Sequence, residues 1–149
     1  MDKSKFVYEI YIATTPDRVW KGLLDGEFTK QYWGHFNVSD WKPGSSWEHR
    51  PAKGEDAPLI LGEVIESDPP RRLVITWAEP KDKGHRDRHS RVTYAIEPVA
   101  EMSRLTVIHD QLEAGSEMER KISHGWPRVL SSLKSLLETG KPLDTWAGR

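Results

Sequence analysis

The 149 residues are enough for one domain with a sizeable core. Their 22 basic and 23 acidic side chains leave a formal charge of -1, which argues against a dedicated nucleic-acid binder or a polybasic membrane protein. The lack of cysteine rules out a disulfide framework, a thiol nucleophile and a cysteine metal site, and no apolar run approaches a membrane span.

Residues 1–5 lead straight into an alternating strand without an apolar signal core, so a cytoplasmic location is expected. That strand, 6–12, puts Phe6, Tyr8, Ile10 and Ile12 on one inward face. Thr15-Pro16-Asp17 starts a helix with proline at its first position. Val19, Trp20, Leu23 and Leu24 follow at helical spacing until Asp25-Gly26 stops it. A second short helix over 27–32 packs Phe28 and Tyr32 and ends before Gly34. Strands are expected over 35–40 and 46–50, either side of the Lys42-Pro43-Gly44-Ser45 turn. Residues 51–58 read as a loop of turn formers and charges. Strands 59–67 and 72–79 flank Asp68-Pro69-Pro70-Arg71, where two prolines cannot donate to a ladder. Residues 80–89 form a charged loop, and strands 90–97 and 103–111 alternate strongly on either side of 98–102.

The last element, 116–139, opens with Ser116-Glu117-Met118-Glu119, a capping-box pattern in which Ser116 and Glu119 satisfy each other's amides. Met118, Ile122, Trp126, Val129, Leu130, Leu133, Leu136 and Leu137 make one apolar stripe, with Ser123, Arg128, Ser131, Ser132, Lys134 and Glu138 mostly on the other side. Gly140 suits the left-handed cap and Pro142 follows it. At ~1.5 Å per residue the rod is about 36 Å long and crosses a whole small domain. Gly125 and Pro127 interrupt it, and a kink is expected near 123–126. The tail 141–149 carries Trp146. The pattern predicts a single α+β domain, with its core at about 6–143. About six or seven antiparallel strands curve around the long C-terminal helix, and two short helices follow the first strand.

Several segments resemble one family. They are Ala13-Thr14-Thr15-Pro16-Asp17-Arg18-Val19-Trp20, Gln31-Tyr32-Trp33, and Asp40-Trp41-Lys42-Pro43-Gly44-Ser45-Ser46-Trp47. The run from Glu63 to Leu73 with Thr76-Trp77, and His109-Asp110 before Gly125-Trp126 and Leu133, belong to the same pattern. The chain resembles the activator-of-heat-shock-protein-90-ATPase-like family of the START-like (SRPBCC, polyketide cyclase, birch-pollen-allergen-like) superfamily. The resemblance implies a helix-grip fold with a cavity between sheet and helix. The superfamily includes lipid carriers, plant-hormone receptors and polyketide cyclases, a shared fold does not choose among them, and the family name suggests chaperone co-regulation. The eukaryotic activator after which the family is named has an additional N-terminal domain that carries much of the chaperone contact, and these 149 residues are not expected to hold it.

Seven tryptophans are the compositional oddity, and such side chains fill cores or line sites for apolar and aromatic ligands. Trp20 reads as core on its helix; Trp33, Trp47, Trp77 and Trp126 are candidate cavity walls, with ordinary core packing as the alternative. Tyr94, His49 and His109 are candidate polar contacts, and His35 and His49 are placed near the cavity mouth. His109 and Asp110 alternate on a strand and so do not make a dyad, and a satisfied histidine is the plainer reading of His109. His124 reads as surface or rim. The His85–His89 spacing sits among Lys81, Lys83, Arg86, Arg88 and Arg91, whose charge opposes a metal, so no metal or other cofactor is expected. No hydrolase elbow, phosphate loop or metalloprotease motif occurs, and Glu63 and Glu66 have opposite parity.

The expected function is therefore binding of a small apolar or aromatic molecule without assigned catalytic residues. The 51–58 and 80–89 loops are expected to control entry. A chaperone or other protein partner, a homodimer, and a cyclase- or hydrolase-like enzyme remain the alternatives.

Overall fold

A computed structural model describes residues 2–51 and 57–145 of the chain. Strand β1 (Lys3–Ile12) is followed by helices α1 (Pro16–Leu24) and α2 (Gly26–Tyr32). Strands β2 (His35–Val38), β3 (Ser46–Pro51), β4 (Ile60–Asp68), β5 (Arg72–Trp77), β6 (Ser90–Val99) and β7 (Met102–Glu113) come next, and then helix α3 (Glu117–Thr139). The strands form one curved seven-stranded sheet in the order β1-β7-β6-β5-β4-β3-β2, with every pairing antiparallel. Consecutive strands from β2 to β7 are neighbours, and only β1 is paired out of sequence. This is the helix-grip arrangement, with α3 held by the sheet.

Side-chain alternation explains the face each strand turns inward. Along β1 the residues from Phe6 to Ile12 alternate between half-buried or buried and exposed. In β7, Leu105, Val107 and His109 are buried while their neighbours Arg104, Thr106 and Ile108 are not. Asp110 lies on the outer face, where Arg91 grips it with two hydrogen bonds of 3.1 and 2.8 Å. His109 and Asp110 are thus separated by the sheet itself.

The helix ends follow from their capping residues. The Thr15 hydroxyl accepts from the Arg18 amide (3.3 Å), and Pro16 occupies the first turn, where a missing N–H costs nothing. Asp25 serves two helices: its amide donates to the Lys21 carbonyl and closes α1, while its carboxylate accepts from the Glu27 amide (2.9 Å) and opens α2. Ser116 caps α3 by accepting from the Glu119 amide (3.1 Å). The Glu119 carboxylate departs from the expected box. It accepts from the Gly115 amide (3.0 Å) and from the Ser4 hydroxyl, and so ties the start of α3 to β1. Gly140 ends α3 at φ 83°, the left-handed conformation glycine adopts without strain. Pro127 lies inside α3, which runs on through it.

Ser132 is the exception to the stripe. It falls on the polar side by periodicity but is fully buried, because the chain beyond α3 returns across it: Ser132 Oγ accepts from the Leu143 amide (3.0 Å) and donates to the Leu143 carbonyl (2.9 Å). The core itself lies between sheet and helix, where Val64, Leu73, Leu105, Val107, Leu130 and Leu133 are fully buried. Each such side chain contributes roughly 1.5–3 kcal/mol. Helix α1 comes so close to α3 that a Cβ on Gly22 would meet Leu133 Cδ1 at 3.0 Å. The charged loop 80–89 contains two short 3-10 turns, Pro80–Asp82 and Arg86–Arg88. Most of the 51–58 loop, and Trp146, lie outside the described residues.

Candidate functional site

One end of the grip is not filled. A cavity of about 620 Å³ lies there, bounded by Trp33 after α2, by His35 and His49 on β2 and β3, by Ile60 and Trp77 on β4 and β5, and by one face of α3. Helix α3 contributes Met118, Ile122, Gly125, Trp126 and Val129. Exposed Leu59 and Lys121, together with Glu79, form the rim. Gly125 leaves open space beside α3: a Cβ built on it meets no atom within 4 Å.

Three indoles make the wall. Trp33 and Trp77 stack at 6.5 Å between centroids, and Trp126 meets them at 5.6 Å each, edge-on to Trp33 and tilted to Trp77. Behind this wall lies a second aromatic layer. Trp47 packs on Trp77 at 5.4 Å, and Tyr94 meets Trp126 edge-on at 6.0 Å. The Trp47 indole donates to the Thr76 carbonyl (2.7 Å) across Gly62, where a Cβ would sit 2.0 Å from that same oxygen. Only glycine leaves room for this contact.

Two polar chains run into the aromatic cluster. In the first, Trp126 Nε1 donates to His109 Nδ1 (3.1 Å), so the His109 proton sits on Nε2 and is donated to Ser90 Oγ (2.8 Å). Ser90 passes its own proton to the Trp77 carbonyl (3.2 Å). Every member is satisfied and the chain ends on backbone. Burial pushes the His109 pKa down to about 3, although neighbouring Asp110 favours the charged ring, so the imidazole is neutral at pH 7.

The second chain starts on backbone and ends at the cavity. Asn37 Nδ2 donates to the Leu23 carbonyl (3.1 Å), which leaves Asn37 Oδ1 to accept from His49 Nδ1 (2.7 Å). His49 Nε2 then carries a lone pair and accepts from His35 Nδ1 (3.2 Å). Burial, and then the neighbouring His35, hold the His49 pKa down at about 3. Burial also lowers that of His35, so both rings are neutral at pH 7. In neutral His35 the remaining nitrogen, Nε2, is an unprotonated acceptor.

Of the residues singled out by sequence, Trp33, His49, Trp77 and Trp126 border the cavity. Trp47, Tyr94 and His109 stand behind it: Trp47 and Tyr94 pack against its wall, and both His109 nitrogens are used within the protein. Sequence reasoning did not assign Asn37, Glu79, Lys121, Gly125 or Val129 to the site, although it put Gly125 and Val129 on the long helix. The link from Asn37 to His49 depends on register, since the two face each other across β2 and β3. Three buried side-chain groups have no partner among the described residues, Trp77 Nε1, Tyr32 Oη and Thr145 Oγ1. Burial, followed by Tyr94, raises the Tyr32 pKa.

The 80–89 loop borders a second, more polar cavity of about 860 Å³, which shares Trp77, Glu79 and Met118 with the first. There Arg88 and Asp82 form an ion pair (3.3 Å), and His89 Nε2 donates to the Asp82 carbonyl (2.9 Å). Among the described residues no group of three histidines or carboxylates could hold a metal ion, and no helix is long and apolar enough to cross a membrane.

The sequence matches the family described as "Activator of Hsp90 ATPase homolog 1-like protein" over residues 13–138. No curated protein matches it. Several solved structures share its fold. The Aha1 dimer from Colwellia psychrerythraea is 18% identical with a TM-score of 0.72, covering 93% of this chain and 98% of the other. Protein MLL2253 from Mesorhizobium loti is 21% identical with a TM-score of 0.75, covering 90% and 96%. PFC0360w, an HSP90 activator from Plasmodium falciparum, is 21% identical with a TM-score of 0.71, covering 89% and 95%.

Proposed function

The chain belongs to the Activator of Hsp90 ATPase homolog 1-like family, and on that footing we propose that it binds a small apolar or aromatic molecule between its sheet and α3. One observation carries the reading: a cavity of about 620 Å³ walled by Trp33, Trp77 and Trp126 in mutual contact. That volume lies within the range of small-molecule sites, and flat indole faces favour flat apolar ligands. The role is binding rather than catalysis, in the cytoplasm. Native mass spectrometry of freshly purified protein, set against its denatured mass, tests it. The expected result is an added small mass that disappears on unfolding and is absent from Gly125→Leu, whose side chain would project into the open space beside α3. An apo mass in both, with no uptake of added aromatic compounds, contradicts it.

The family description, and the printed role of the Plasmodium falciparum protein, support a second reading as a chaperone ATPase co-regulator. It predicts stimulation of a chaperone ATPase by the purified chain, and no stimulation would remove it. The same native mass reads whether the chain forms a homodimer, the state named for the Colwellia psychrerythraea structure.

A further inference from the structure

Resting on the cavity reading above, we propose that the bound molecule is a planar aromatic hydroxyl compound whose O–H donates to His35 Nε2. Two observations converge on that chemistry.

The first is the direction of the Asn37–His49–His35 chain. Its start is fixed, because reversing the Asn37 amide would set its oxygen against the Leu23 carbonyl. Each later proton position follows from the one before, and His35 ends the chain with a lone pair on Nε2, the nitrogen not engaged by His49. His35 is half-buried and borders the cavity. Its lowered pKa keeps that lone pair free at neutral pH. An acceptor held in this way selects a ligand that can donate. A ketone, ether or ionised carboxylate has no proton to offer, and a hydrocarbon would leave the nitrogen desolvated and unpaired.

The second is the wall itself. Trp33, Trp77 and Trp126 present aromatic surface on the same cavity, so the donor is best carried on an aromatic frame. The rim adds no bias toward an ion, because Glu79 and Lys121 carry opposite charges.

The test uses 2-naphthol and 2-methoxynaphthalene, which differ in the donor proton and one methyl group, each titrated at pH 7 by quenching of tryptophan fluorescence. The expected result is that 2-naphthol binds roughly five- to tenfold more tightly, the worth of one hydrogen bond. His35→Phe should bring the two affinities together, and His35→Gln, which retains an acceptor, should restore part of the difference. Equal affinities in the unaltered protein overturn the hydroxyl inference and leave the cavity reading standing. A preference that survives in His35→Phe overturns the assignment to His35. If neither compound binds the folded protein, the cavity reading fails with it. Should His35→Phe not fold, the unaltered protein and His35→Gln decide: a preference unchanged by glutamine overturns the assignment, and a reduced one supports it.

Discussion

His109 and His49 have the same chemistry and nearly the same burial, yet they occupy two different kinds of place. Both are at most 3% exposed, and both have pKa values pushed down to about 3, chiefly by desolvation. His109 sits in a chain that closes on itself, from the Trp126 indole through Ser90 to the Trp77 carbonyl. His49 sits in a chain that stops one residue later, at His35, with an acceptor left over beside the cavity. A perturbed pKa alone therefore points to neither role. What distinguishes them is whether the hydrogen-bond accounting closes inside the protein. The His109 chain holds the wall, and the His49 chain presents a group to whatever the wall encloses.

The sharpest way to break the comparison is to remove what His109 holds. Trp126→Ala should cost about 3–5 kcal/mol of stability, as deletion of a buried large aromatic does, and should abolish uptake of aromatic compounds. Denaturant unfolding and 2-naphthol titration would read the two effects. Unchanged affinity in a folded variant would remove Trp126 from the wall.

Acid tests both histidines together. With folded values near 3 against an ordinary 6.5, the unfolded chain takes up protons that the folded chain refuses, so stability is present above pH 6.5 and is lost as pH falls toward 3. At ~1.4 kcal/mol per pH unit and group, moving from pH 7 to pH 5 should cost about 2 kcal/mol for each, about 4 kcal/mol in all. A flat stability profile over that interval would contradict the buried neutral state of both rings.

His109→Leu should cost about 2–3 kcal/mol at pH 7, because it orphans the Trp126 N–H, and it should halve the acid dependence. If the acid slope is untouched, His49 alone carries it. Gly125→Leu is the smallest and opposite case. It should stabilise α3 by about 0.5–1 kcal/mol through helix propensity while blocking the cavity, a separation of stability from binding that thermal unfolding and titration can resolve.

The fold could be read from sequence because its signals are local. The Ser116 cap, Pro16 at the head of α1, Gly140 at φ 83° and the alternation through β1 and β7 each depend on a few adjacent residues. The site could be read only in part. Periodicity could turn Trp77, Trp126 and His109 inward, but not rank them by depth, so Trp47 looked as eligible for the wall as Trp33 did, and Tyr94 as eligible for a polar contact as His49. Nor could it tell that the His109 nitrogens are already spent on Trp126 and Ser90, partners 17 and 19 residues away in the chain. Asn37 escaped notice because its value lies in register: only the pairing of β2 with β3 sets it opposite His49.

The most direct test of the central claim is the tryptophan indole N–H region of a 15N-correlated NMR spectrum, followed as 2-naphthol is added. The indole signals of Trp33, Trp77 and Trp126 should move together and saturate, while those of Trp20, Trp41 and Trp47 stay in place. Shifts confined to the latter three, or no saturable shift at the wall, would contradict a ligand site between the sheet and α3.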